Sequence, residues 1–193
     1  RDLIVTGVQT CALPILLSIM DAQARDQWYN SLEKEDIPVV SEANILSTFE
    51  QLHLNKIDVF ERGVINVFKG LSWDYKTNSP CSFGKKIIVN NLVAHSRWGF
   101  SLNWGWRRDQ LADLERMLFL LDGKPIPDNR GDVTTRLMEH IRDNPSKDIY
   151  EDDFFSIRYF QKGTVHITFK RIDLTEKMND IVAKHYPGML AAR

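Results

Sequence analysis

The feature that most constrains this chain is a pair of alternating runs in its C-terminal third. Phe154 to Phe160 sets Phe155, Ile157 and Tyr159 against Ser156 and Arg158. Thr164 to Lys170 sets Val165, Ile167 and Phe169 against Thr164, His166, Thr168 and Lys170. Alternation of this kind marks a strand buried on one face, and so short a gap between two such runs makes a hairpin. The register follows. A two-residue turn at Lys162-Gly163 would pair Ile157 with Thr168 and mix the faces. A three-residue loop, Gln161-Lys162-Gly163, pairs Ile157 with Ile167 and Arg158 with His166, and puts Gly163 where a type I turn plus bulge needs a left-handed residue. The three-residue loop is the expected one.

Helical periodicity fills most of the remaining chain. Leu16 to Lys34 carries good helix formers. Ser41 is a plausible N-cap for a helix with Ile45, Leu46, Phe49 and Leu52 on one stripe. Ile57, Phe60, Val64, Val67, Phe68 and Leu71 continue at the same spacing, with Gly63 as a weak point, so this region is either a helical hairpin or one long bent helix. Lys85 to Asn91 and Phe100 to Trp104 read as short strands. Arg107 to Leu121 is an amphipathic helix stopped by Asp122-Gly123. Asp132 caps a short helix with Val133, Leu137, Met138 and Ile141 inward, ended by Asn144-Pro145. Asp173 and Glu176 resemble a capping box for a last helix through Leu174, Met178, Ile181 and Val182 to Tyr186. The expected fold class is α+β: an antiparallel sheet of about four strands, with a C-terminal β-hairpin, covered by amphipathic helices.

Composition sets outer limits on function. Lys plus Arg total 25 against 26 Asp plus Glu, giving a formal net charge of −1, and 43% of residues are hydrophobic. These are the proportions of an ordinary globular domain. They exclude a disordered tail and a disulfide scaffold, and no apolar run approaches the ~20 residues that cross a bilayer. A strongly basic nucleic-acid module is excluded too, although a local patch is not.

Residues 1–15 fail as a signal peptide, since Asp2, Gln9 and Thr10 interrupt the apolar run and no small-x-small cleavage site follows. A common sequencing-library adapter with index CTGATC translates in frame to all fifteen and leaves one T over. They are therefore read as an artefact, with 16–190 as a single, N-terminally truncated α+β domain whose natural chain begins further upstream. Cys81 is then the one remaining thiol, which fits a reducing, cytoplasmic setting without membrane attachment.

Strong catalytic and cofactor motifs are absent. No phosphate loop, dinucleotide fingerprint or Cys-x-x-Cys occurs, and the five histidines have no ligand spacing, so neither a metal nor a cofactor is expected. Two segments stand out. On the polar face of the hairpin, Arg158 and His166 lie opposite each other with Lys170 and Arg171 following, a set suited to phosphate contact. His166 is also the candidate general base or acid for metal-free RNA cleavage. The bland reading is a solvated sheet face. The second segment is Trp98 to Arg108 (WGFSLNWGWRR), where three of the five tryptophans fall in nine residues and lead into Arg107-Arg108. Aromatics beside cations stack on single-stranded bases. The competing reading packs Trp98 and Trp104 in the core or on a sheet edge and lets the arginines start a helix. Glu151-Asp152-Asp153 is read as a solvated turn.

Four stretches carry a family resemblance. They are Phe49 to Tyr75 (FEQLHLNKIDVFERGVINVFKGLSWDY) with Lys76-Thr77-Asn78, the Leu111-to-Asp122 helix with Gly123-Lys124, Ile149-Tyr150-Glu151, and Gly163 to Tyr186 (GTVHITFKRIDLTEKMNDIVAKHY). Together they resemble the bacterial family known as domain of unknown function 4942, over about Leu16 to Gly188. The resemblance implies an accessory protein of prophages and integrated elements, with some members near toxin–antitoxin genes. A related block, here Tyr159 to Tyr186, resembles a segment attached to adenine-specific DNA methyltransferases. It assigns no catalytic residue.

The leading expectation is a non-catalytic, nucleic-acid-associated accessory domain. Arg158, His166, Lys170 and Arg171 would contact phosphates, and Trp104, Trp106, Arg107 and Arg108 would form a second contact with DNA or RNA. The alternatives are a protein-interaction module for a toxin, antitoxin or methyltransferase, and a ribonuclease-like enzyme centred on His166. The adapter reading makes a separate prediction: the leftover T requires Leu16 to be encoded by TTA or TTG. Sequencing the source DNA checks it, and any other codon refutes it.

Overall fold

A computed structural model describes residues 25–27, 30, 42–73, 76–128 and 130–187, the side chains of 42–55 excepted. The chain divides into two compact units, one ending at Gly63 and the other beginning at Val64. The expected helix at 16–34 falls mostly outside the described residues, as does the Ser41 cap; residues 25–27 and 30 are helical.

Helix α1 (Glu42–Ser72) is continuous for 31 residues, which decides for one long helix over a hairpin. It runs through Gly63 and so belongs to both units. Ile57, expected on the buried stripe, is exposed, whereas Val64, Val67, Phe68 and Leu71 are buried.

The second unit is built on a four-stranded antiparallel sheet. Its strands are β1 (Lys86–Val89), β4 (Ile149–Glu151), β5 (Phe155–Tyr159) and β6 (Val165–Phe169), in the order β1-β6-β5-β4. The hairpin register is the expected one, with Ile157 opposite Ile167 and Arg158 opposite His166. Gly163 has φ 84°, and a Cβ there would lie 2.8 Å from the Val93 carbonyl oxygen. Two separate constraints, dihedral and steric, therefore keep this position glycine. Every inward residue of the sheet is buried: Ile87, Val89, Tyr150, Phe155, Ile157, Tyr159, Val165, Ile167 and Phe169. At the β1 edge the Asn78 side chain imitates a neighbouring strand. Its Oδ1 accepts from the Ile88 N–H and its Nδ2 donates to the Ile88 carbonyl, both at 2.8 Å. This satisfies edge groups that would otherwise pair with another chain.

Strands β2 (Val93–Ser96) and β3 (Gly99–Leu102) form a separate ribbon. The expected strand at 100–104 thus ends two residues early and does not join the main sheet. Its partner β2 went unread because only Val93 among its four residues is a strong strand former. The ribbon meets the sheet core through Phe100, whose ring lies 4.9 Å from that of Tyr159.

Helices α2 (Trp106–Asp122), α3 (Val133–Asp143) and α4 (Ile172–His185) complete the unit. α2 packs on α3 and α4, and α3 packs on β3 and β4. Asp132 caps α3 as expected, its Oδ1 accepting the Thr135 N–H at 2.8 Å. Of the residues expected inward on α3, Met138 is instead exposed. The capping box at Asp173 does not form, because α4 begins two residues earlier and its N-cap is Arg171. Arg171 instead spans two carboxylates, donating to Asp122 at the end of α2 (2.9 Å) and to Asp173 (2.6 and 2.8 Å).

A polar cluster joins α2, α3 and β4. Arg136 of α3 donates to Glu115 of α2, to the Gly131 carbonyl, to Asp152 (3.1 Å) and to the Tyr150 hydroxyl (3.0 Å). Glu115, only 1% exposed, also accepts the Val133 N–H at 2.7 Å. Asp152 accepts the Tyr150 hydroxyl (2.9 Å) and the N–H groups of Phe154 and Phe155 (2.9 and 2.7 Å). Burial pushes the Glu115 carboxyl above its ordinary value, against the pull of the Arg136 and Val133 donors.

Two predictions follow from these clusters. Arg136→Ala leaves Glu115 buried without its counter-charge and should cost about 3 kcal/mol, the low end for a broken buried pair because Arg136 is part-exposed. Urea titration checks this; an unchanged midpoint would contradict it. For the Arg171 clamp, the hydrogen bond from Arg171 holds Asp173 at about 2, and Lys124 and then Arg171 lower Asp122. Both folded values lie below the unfolded ones, so their stabilisation is complete above about pH 4 and is lost as pH falls through the folded values. The melting temperature of Asp122→Asn/Asp173→Asn should therefore fall less steeply with acid than that of the wild type. Parallel curves would refute the clamp.

Candidate functional site

The Trp98-to-Arg108 segment folds as neither alternative alone anticipated. The arginines do start a helix, but the tryptophans do not enter the core: Trp98 and Trp104 are each 82% exposed and Trp106 is 56% exposed. Trp98 sits in the two-residue turn between β2 and β3. After β3, the Asn103 N–H donates to the Leu92 carbonyl (2.9 Å) and its Nδ2 to the Asn91 carbonyl (3.0 Å), which fixes the chain just before Trp104. Gly105 is the N-cap of α2, and its carbonyl accepts from the Arg108 N–H at 2.9 Å.

Each of these three indoles carries an arginine. The guanidinium of Arg97 lies 4.9 Å from the Trp98 ring centre, that of Arg108 lies 4.1 Å from Trp104, and that of Arg107 lies 3.8 Å from Trp106. Two of these arginines are also anchored to the frame. Arg107 donates to the Gly70 carbonyl at 2.8 Å, and Arg108 donates to the Thr134 hydroxyl at 3.2 Å. Cation–π contacts of this kind are worth ~0.5–1 kcal/mol at exposed sites, enough to orient a ring without hiding it. Asn91, Asn103, Trp104, Gly105, Trp106 and Arg107 line a depression of about 370 Å³. The sequence singled out Trp104, Trp106, Arg107 and Arg108; the Arg97–Trp98 pair is an addition that their shared segment already hinted at.

The hairpin face is a more neutral surface. Arg158 and His166 stand opposite each other on the outer side of the sheet. Arg158 also donates to Asp148 (3.1 and 3.2 Å). His166 is half-buried, 4.6 Å from the Phe160 ring, and burial together with Lys86 and Arg158 holds it below the ordinary imidazole value. Lys170 lies one residue beyond β6, donating to the Asp152 carbonyl at 2.8 Å, with Glu151 at 3.9 Å. Arg171 is turned to Asp122 and Asp173 at the start of α4. The structure thus brings Arg158 and His166 together, and sets a carboxylate beside each of the three cations. Asp152, read as part of a solvated turn, is instead the acceptor at the centre of the buried cluster. Among the described residues no group of three or more His, Cys, Asp or Glu is placed to hold a metal ion. No described helix is long and apolar enough to cross a membrane.

No curated protein and no solved structure matches the chain. A family model does, over residues 10–188, which is nearly the whole sequence. The chain therefore belongs to the family described as domain of unknown function DUF4942.

Proposed function

We propose that this protein is a non-catalytic, nucleic-acid-associated domain, acting as an accessory protein of a mobile element. The observation that carries the reading is the set of three exposed tryptophans, each with an arginine over its ring. Soluble domains seldom leave large apolar side chains clustered in water without a partner for them. An indole presents a flat face to any base, and the arginine beside it supplies attraction to the neighbouring phosphate. Such contacts need no overall positive charge, which accords with a net charge of −1. Arg158 and Lys170 on the hairpin side serve as supporting phosphate contacts, competing with Asp148 and Glu151. Exposed ion pairs of that kind hold their partners by only ~0–1 kcal/mol, so a phosphate can displace the carboxylate. His166, held below its ordinary value, contributes as a neutral hydrogen-bonding group near pH 7.

Fluorescence anisotropy with labelled single-stranded DNA, duplex DNA and RNA, at low and near-physiological salt, tests the reading. The expected result is micromolar binding that weakens with salt through released counterions. Trp104→Ala should weaken it by about 1–3 kcal/mol, the worth of one stacked base. Flat traces for all three probes would overturn the proposal and direct the search to a toxin, antitoxin or methyltransferase partner by pull-down.

A further inference from the structure

We infer that the depression between Trp104 and Trp106 is a clamp for one unpaired nucleobase, so that the chain takes single-stranded in preference to duplex nucleic acid. This deepens the nucleic-acid reading above and rests on it. The two indoles line the same depression and are separated by a single residue, Gly105. Gly105 has φ 128° and ψ −173°, a near-extended conformation essentially restricted to glycine. Across one extended residue the flanking Cα atoms stand at most about 7 Å apart. That backbone spacing is about twice the ~3.4 Å rise between stacked bases, so two rings standing off it side by side would leave room for one planar base.

The chemistry of the lining agrees. Arg108 and Arg107 lie over Trp104 and Trp106, while 82% and 56% of the two tryptophans remain exposed. Asn103 and Asn91 add amide groups at the rim, suited to the polar edge of a base. A volume of about 370 Å³ is small for a ligand site and fits one nucleotide unit. A base within a duplex cannot enter such a slot without leaving its stack, which costs energy that a single strand avoids.

The test uses the full chain and two labelled oligonucleotides of equal length and charge, one with adenine bases and one abasic throughout. The intact strand should bind roughly 5- to 150-fold more tightly than the abasic one. The Trp104→Ala/Trp106→Ala variant should remove most of that preference. Gly105→Ala should reduce it, through the backbone alone, since a Cβ at Gly105 meets nothing within 4 Å. Both clamp indoles are exposed, so the double variant should keep its melting temperature, whereas Gly105→Ala, strained at φ 128°, should lower it. Equal, salt-sensitive binding of the two strands by the wild type would overturn the clamp and leave the nucleic-acid reading standing. A preference undiminished in the double variant would also overturn the clamp. Failure of both strands to bind would remove the nucleic-acid reading and the clamp together.

Discussion

One part-buried guanidinium ties the second unit together. Arg136 reaches from α3 to Glu115 on α2, to Tyr150 on β4 and to Asp152 in the turn that follows. A carboxylate as buried as Glu115 is tolerable only with such partners, because an unpaired charge in a low-dielectric interior costs several kcal/mol. The cluster also sets the registers of the elements it joins. Glu115 accepts the first N–H of α3, while Asp152 accepts the N–H groups that begin β5. Sheet and helices are thereby locked by directional bonds as well as by apolar contact.

That lock supports the exposed face of the molecule. α2 is held to α3 at two points, Glu115 to Val133 near its middle and Arg108 to Thr134 in its first turn. The same first turn carries Trp106, and Trp104 precedes it by two residues. The indoles therefore stand on a backbone whose position is fixed from beneath. Rings already held in place lose less freedom when a ligand binds, so more of each stacking contact survives as affinity. By contrast, the cations of the hairpin side are each committed to a carboxylate, and displacing it offsets part of any gain from phosphate.

What was legible in the sequence follows from how local each signal is. The hairpin, its three-residue loop and the pairing of Arg158 with His166 were readable because alternation and one glycine fix them within seventeen residues. The Asp132 cap was readable for the same reason. The Asn78 edge mimic was not, since it depends on a side chain meeting a strand ten residues away. Nor was the Arg136 cluster, whose members come from three separate elements. It left one trace: Glu115 stands four residues after Leu111 and three before Leu118, on the face that helical spacing makes apolar. The Asp173 capping box failed because Arg171, drawn towards Asp122, became the N-cap of α4 in its place. In the tryptophan segment, composition marked the site correctly. Whether the rings faced water or the core was not legible, because that depends on where β3 ends.

The central claim is that the indoles of Trp104 and Trp106 meet nucleic acid while the frame beneath them stays fixed. NMR spectra of the tryptophan indole N–H groups during titration with single-stranded DNA test it most directly. The signals of Trp104 and Trp106 are predicted to shift progressively. That of Trp73, whose indole N–H donates to the Pro80 carbonyl at 3.1 Å, is predicted to stay in place. Stationary signals from Trp104 and Trp106, or an equal shift at Trp73, would contradict the account.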